Sequence, residues 1–290
     1  MNPGGTTALR TEISQSQRIA LVSLLADEDP AIYRTIREKI LSCGPPAAEW
    51  LRPHTMSNDP ALRRRALQIV LHFDRQAADD HFLAFCLRHG EEFDLEQAAW
   101  LFAQTRYPLI NVEAYKAVLD GYANELRTRL GSTAEPQAIL TIINQYLFND
   151  LGFAGNEENY YNPENSYLNC VLDRRTGNPI NLCLVYLLLA RRLRLPVAGI
   201  GLPGHFICRY QSSAGEIYLD PFHRGKLLTK ADCVQYLANA NCGLRDDYLA
   251  PVSPRRLLLR ICSNLHQIYQ RLEQAVEATR LQRYLVAIAR

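Results

Sequence analysis

Through the first two-thirds of the chain, apolar residues recur at helical spacing. Ile32, Ile36 and Ile40 follow Asp29-Pro30, and Leu62, Ala66, Ile69 and Val70 follow Asp59-Pro60. In each case Asp serves as an N-cap, and Pro occupies the first helical position, where its missing N–H costs nothing. Helical patterns continue through LEQAAWLFAQ and VEAYKAVLDGYANELRTRL. The run GFAGNEENYYNPENSY, rich in Asn, Gly and Glu, predicts a long surface loop over 152–167. A strongly apolar helix is predicted from Pro179 to Arg192. After Pro196 the pattern changes to short β-rich runs: VAGIGL (197–202), HFICRY (205–210) and EIYLD (216–220). QSSAG between the last two reads as a hairpin turn. A helix is expected over 230–239. From Pro254 onward, Leu257, Ile261, Leu265, Ile268 and Leu272 form one helical stripe, and Ala275 to Ile288 forms a second helix. The fold class expected is α+β, a small antiparallel sheet with a central helix between two helical arms. The expected division is 1–90 for the N-terminal helical region, 91–250 for the core and 251–290 for the C-terminal helical pair.

Charge adds little to this picture. With 32 Lys+Arg against 30 Asp+Glu the net charge is +2, which gives no reason to expect nucleic acid or an anionic membrane as a partner. Arg63-Arg64-Arg65 reads as a solvated helix face. The longest apolar run, Leu182 to Ala190, is far short of the ~20 residues of a membrane helix. The first 18 residues hold no apolar segment of the secretory kind. Eight cysteines (43, 86, 170, 183, 208, 233, 242 and 262) are scattered without a framework, and read as reduced, mostly buried thiols of a cytoplasmic protein.

Candidate chemistry gathers at three places: the helix start Gly177-Asn178-Pro179, His205 in LPGHF, and Asp220 in YLDPF. A helix N-terminus lowers the pKa of a thiol placed there. A histidine opening one strand and an aspartate closing the next lie side by side in an antiparallel pair, so a hydrogen bond between His205 and Asp220 is expected. Nucleophile, base and orienting carboxylate then make the frame of a Cys-His-Asp triad. No metal site is expected: Asp220 and His223 are near in sequence but lack further ligands, and Cys233 and Cys242 lack a partner pair. GIGLPGHF matches G-x-G-x-x-G but follows a helix and enters a strand, the reverse of a dinucleotide-binding turn. No cofactor is expected.

The motifs NSYL, G-x-P-I-x-L, PGHF and LDPF occur in that order in NPENSYLNCVLDRRTGNPINLCLVYLLLARRLRLPVAGIGLPGHFICRY…YLDPFHRG. This run resembles the SirB-type branch of the transglutaminase-like superfamily, from about Phe93 to Arg290. The resemblance implies a papain-like transglutaminase core, a tetratricopeptide-like C-terminal pair, and a site around Asn165, Gly177, Asn178, Pro179, Gly204, His205 and Asp220. The two Asp-Pro openings upstream, at Asp29 and Asp59, resemble HEAT-like repeats. The wider superfamily carries its nucleophile in G-x-C. Laid on this chain, Gly177 takes the Gly position and Pro179 the cysteine position, as is common in the SirB-type branch. Cys183, four residues on and on roughly the same helix face, is the remaining candidate nucleophile, although its flanks INLCLVYLLLA are those of a core residue. Arg194 stands where family members usually have Gly. The function expected is a transglutaminase-like protein with a degenerate or cryptic site, acting through a protein or peptide partner. The rivals are an active cysteine peptidase or acyltransferase using Cys183, His205 and Asp220, and a helical-repeat scaffold.

Overall fold

The computed structural model describes residues 13–213, 215–240 and 246–290; the first 12 residues and Cys242 lie outside them. The helices are α1 (Gln15–Leu25), α2 (Pro30–Ser42), α3 (Pro46–Leu51), α4 (Pro60–Arg88), α5 (Leu95–Arg106), α6 (Val112–Leu130), α7 (Pro136–Asn144), α8 (Leu168–Arg174), α9 (Pro179–Leu193), α10 (Lys230–Asn239), α11 (Pro254–Arg271) and α12 (Ala275–Ala289). The strands are β1 (Ala154–Gly155), β2 (Thr176–Gly177), β3 (Val197–Ile200), β4 (Ile207–Ser212), β5 (Gly215–Asp220) and β6 (Lys226–Leu228). The chain forms two compact units, one from residues up to Asp80 with Thr105–Leu109, the other from His81–Gln104 with Ile110–Arg290.

In the first unit the Asp-Pro openings act as caps. Asp29 Oδ1 accepts from the Ala31 amide at 2.7 Å, and Asp59 Oδ1 accepts from Ala61 at 2.8 Å and Leu62 at 3.3 Å. Leu25, Ile40, Ala47, Leu51, Ala66, Ile69 and Val70 make the core. The basic triplet is not uniformly solvated. Arg65 turns inward, donates to the Leu25 and Asp27 carbonyls, and lies 4.3 Å from the centre of the Tyr33 ring.

The second unit is α+β. Its antiparallel sheet has the order β3-β4-β5-β6. At its centre α9 is buried around nearly its whole circumference, from Pro179 to Tyr186 and again from Leu188 to Ala190. A helix apolar on all sides demands cover on all sides, and α6, α8, α11, β3 and β4 supply it. Within α11, Leu257, Leu258, Ile261, Leu265 and Ile268 are buried against this core. Leu272 lies beyond the helix and is 44% exposed, outside the apolar stripe expected to include it.

The sheet differs from the sequence expectation at its edges. β3 ends at Ile200 and β4 begins at Ile207, so His205 sits in the connection and not in the strand. Lys226–Leu228 adds a fourth strand that the short run KLL does not announce. The Asn-rich loop is partly ordered by β1, which pairs in parallel with β2. Among the described residues no helix is long and apolar enough to cross a membrane, and the seven described cysteines are free thiols.

Helix α9 ends at Arg194, which adopts the left-handed conformation with φ of 57°. That geometry suits glycine and costs an L-residue roughly 1–2 kcal/mol. Replacing Arg194 by Gly is therefore expected to raise the unfolding free energy by about 1 kcal/mol, read as a higher urea midpoint with unchanged slope.

Candidate functional site

Leu202-Pro203-Gly204-His205 is a tight turn closed by a hydrogen bond from the His205 amide to the Leu202 carbonyl, 3.2 Å. Pro presets the second position, and Gly204, with φ of 71°, supplies the third. The turn delivers His205 to the beginning of β4. Because Cys208 pairs with Leu219 across β4 and β5, that beginning lies beside the end of β5, where Asp220 sits. His205 Nε2 and Asp220 Oδ2 are 2.7 Å apart, within hydrogen-bond distance.

Asp220 is the hub of the polar network. It is only 5% exposed, and it accepts from four donors. Oδ2 takes His205 Nε2 and His223 Nδ1, each at 2.7 Å, while Oδ1 takes the amides of Phe222 at 3.1 Å and His223 at 3.3 Å. A neutral imidazole has one N–H. With each ring neutral, that N–H sits on Nε2 of His205 and on Nδ1 of His223, the atoms facing Asp220, and a charged ring carries an N–H on both nitrogens. Burial by itself raises the Asp220 pKa. Hydrogen bonding and charge from His205, and then from His223, outweigh it and hold the carboxyl below its usual value.

His205, Asp220 and His223 also place three potential ligand atoms within 4.8 Å of one another. His205 supplies the third group that Asp220 and His223 lack in sequence, and the His223 side chain is 53% exposed. A cation there would displace both imidazole N–H protons from Asp220 and break two hydrogen bonds that already saturate Oδ2. The donor set suits a transition metal, but the geometry is that of a hydrogen-bonded cluster.

At the helix start, Asn178 caps α9: its Oδ1 accepts from the Asn181 amide at 3.0 Å and from Asn181 Nδ2 at 3.0 Å. Its own Nδ2 donates to Ser166 Oγ at 3.1 Å. Pro179 is the first helical residue. Gly177 closes β2, where an added Cβ would come within 3.1 Å of Val171. Asn165 has a holding role. Its Nδ2 donates to the carbonyls of Asn159 (2.9 Å) and Tyr160 (3.1 Å), and its Oδ1 accepts from Asn156 at 2.8 Å. Asn165 thereby fixes the loop that carries Tyr160 and Tyr161.

Cys183 is fully buried. Its thiol donates to the Phe206 carbonyl at 3.4 Å, and burial pushes its pKa well above the ordinary value, with neighbouring Cys208 and Asp220 adding to the rise. A protonated thiol inside an apolar helix is a poor nucleophile.

Beside these groups lies a cleft of about 370 Å³, into which Asn178, Pro179, Gly204 and His205 open. Cys183 is not among its lining residues. Tyr160 and Tyr161 border it from the Asn-rich loop, and Arg260, Asn264, Gln267 and Arg271 border it from α11. The α11 residues are absent from the sequence-based site. Their spacing of four, three and four marks one helix face, a signal present in the sequence beside the apolar stripe of the same helix.

A small antiparallel sheet against a buried helix, with a His-Asp pair facing that helix's first turn, defines a transglutaminase-type core. Residues 113–263 match the transglutaminase-like superfamily, and the chain belongs to it. It is similar to a UPF0162 protein of Xylella fastidiosa (strain Temecula1), 35% identical over 197 residues that cover 66% of this chain and 70% of the relative. A UPF0162 protein of Pseudomonas aeruginosa is 29% identical over 190 residues, covering 63% of this chain and 67% of its own length. F-box only protein 21 of Mus musculus is 36% identical over 141 residues, which are 46% of this chain but 22% of that protein. No solved structure matches the chain.

Proposed function

We propose that this chain is a transglutaminase-like protein of the SirB-type branch that binds a protein or peptide segment in the cleft and does not turn it over. The observation that carries this reading is Pro179, whose ring, without a nucleophilic atom, lines the cleft where a G-x-C pattern would place a thiol. The nearest thiol in sequence, Cys183, is buried and bonded to a carbonyl. His205 lines the cleft, backed by its hydrogen bond to buried Asp220. Free cysteines throughout the described residues fit a reducing compartment, and the reading places the protein in the cytoplasm.

The test uses a pool of amidated heptapeptides of mixed sequence, labelled with rhodamine. Anisotropy reads binding, and mass spectrometry reads cleavage or amine incorporation. The expected result is saturable binding, weakened at least tenfold by Tyr161→Ala, with every peptide recovered intact. Tyr161 is half exposed, so its removal leaves the fold in place. Turnover that disappears in Cys183→Ser would replace this reading with the cysteine-enzyme one.

If Pro179 occupies the nucleophile position, a cysteine installed there gains the electropositive helix start and faces the same cleft as His205. Pro179→Cys is expected to react with iodoacetamide at pH 6 about tenfold faster than an unperturbed thiol, whose pKa is near 8.5, because a helix-start thiol carries more thiolate there. Peptide mapping separates its adduct from those of the native cysteines.

A further inference from the structure

We propose, on the footing of the peptide-binding reading above, that the cleft selects peptides by a carboxylate, which Arg260 receives and Arg271 guides from the rim. The charges around the cleft set up this preference. Among the described residues its lining contains Arg260, Arg271 and His205 but no Asp or Glu, in a chain whose overall charge is nearly balanced.

Arg260 differs from the arginines of its unit that are held by ion pairs. Arg192, Arg191, Arg174 and Arg129 each meet a carboxylate: Glu96 with Asp120, Asp94, Glu164, and Glu125 with Asp150. Arg255 shows what a purely structural guanidinium does here. Nη1 bonds the carbonyls of Cys86, His89 and Gly90, and Nη2 bonds that of Ala287. Arg260 uses only Nη2, which donates to the carbonyls of Leu202 and His205 and so pins the His205 turn to α11. Among the described residues its Nη1 and Nε make no hydrogen bond, and no carboxylate lies within ion-pair distance. Its guanidinium carbon lies 5.6 Å from the centre of the Phe206 ring. Burial lowers its pKa from the usual arginine value. A cation taken partly out of water with three of its five N–H donors unused is costly, and an anion in the cleft would offset that cost.

Three further features align with an extended, singly charged ligand. First, Asn264 and Gln267 sit between the two arginines on the same α11 face and offer amide donors and acceptors to a peptide backbone. Second, Arg271 stacks 4.4 Å from the centre of the Tyr161 ring, which holds a cation ready at the rim. Third, the first turn of α9 contributes its positive end. Pro179 has no N–H, the Asn181 amide is capped by Asn178, and the Ile180 amide, on a lining residue, makes no hydrogen bond among the described residues. The volume, about 370 Å³, is at the small end of ligand sites, room for a short stretch of chain. A single guanidinium with only its Nη1 and Nε donors left over matches a carboxylate better than a phosphate dianion, which calls for several such groups.

The test compares four rhodamine-labelled heptapeptide pools in anisotropy titrations with the full chain. The first has Glu fixed at the centre and an amidated end. The second has Gln there and an amidated end, the third Gln there and a free C-terminal carboxylate, and the fourth phosphoserine there and an amidated end. The expected result is at least tenfold tighter binding of the first or the third pool than of the second, the better of the two showing whether a side chain or a chain end is read. Asn264→Asp, which leaves the Arg260 contacts in place but adds an acid to the wall, is expected to abolish that preference, so that the first and third pools bind no tighter than the second. Arg260→Gln, checked for folding by circular dichroism, is expected to remove the preference as well. Equal binding of the first three pools overturns the carboxylate inference and leaves peptide binding standing. No binding by any pool overturns both. Tenfold preference for the phosphoserine pool over both carboxylate pools replaces the carboxylate with phosphate.

Discussion

Asp220→Ala is expected to lower the unfolding free energy by about 3 kcal/mol at pH 7, the scale for removing a buried, charge-assisted hydrogen-bond hub. The substitution strips partners from two imidazoles and two backbone amides at once. Asp220→Asn retains an acceptor oxygen but turns its NH2 toward donors, and is expected to cost about half as much. The pH dependence follows from the direction of the Asp220 shift. Its folded pKa is depressed, because hydrogen bonds and charge from His205 and His223 outweigh the opposing effect of burial. The unfolded chain therefore binds the proton more readily. The ionised hub contributes its stability in full above the unfolded value of about 3.9, and the contribution is lost as pH falls through the lower folded value. Urea titrations at pH 7 and near pH 3 read both effects. A loss under 1 kcal/mol at pH 7, or an Asp220→Ala gap that does not narrow on acidification, would remove Asp220 as the hub.

Cys183 is expected to resist alkylation in the folded protein by a factor of about 1,000 or more relative to a free thiol at pH 7. Labelling has to wait for the core to open, and opening costs of about 4 kcal/mol correspond to that factor. Burial and the bond to the Phe206 carbonyl both hold the thiol in its protonated form. Cys43, only partly buried, serves as the internal reference, and His205→Ala is expected to leave the Cys183 rate unchanged. Iodoacetamide labelling from pH 5 to 9 with peptide mapping reads both. Fast labelling below pH 7 that falls on removing His205 would revive Cys183 as a nucleophile.

Much of the fold could be read along the chain because it is written in local pattern. Asp29 and Asp59 cap where Asp-Pro precedes a helical repeat of apolar residues. Arg194 takes the left-handed position that a glycine would normally hold. His205 and Asp220 meet because a Pro-Gly turn and a hairpin register bring them together, and both are visible as short motifs. The edge strand Lys226–Leu228 was hidden, since three residues carry no period and pair only because β5 already stands beside them.

The composition of the cleft lay beyond the sequence for a different reason. Arg260, Asn264, Gln267 and Arg271 look like the solvated face of an amphipathic helix, and only the packing of α11 beside the loop of Tyr160 and Tyr161 turns that face into a wall. His223 is visibly near Asp220 in sequence, but only the tight 221–223 turn brings its Nδ1 onto the carboxylate. The sequence by itself determined most of the elements and their caps, and the proline at position 179 of the helix start, because these depend on residues close along the chain. The tertiary structure decided which polar groups share one cavity, that Cys183 is shut in the core, and that Arg260 meets no acid among the described residues. Those depend on contacts between segments far apart in sequence, which local periodicity does not encode.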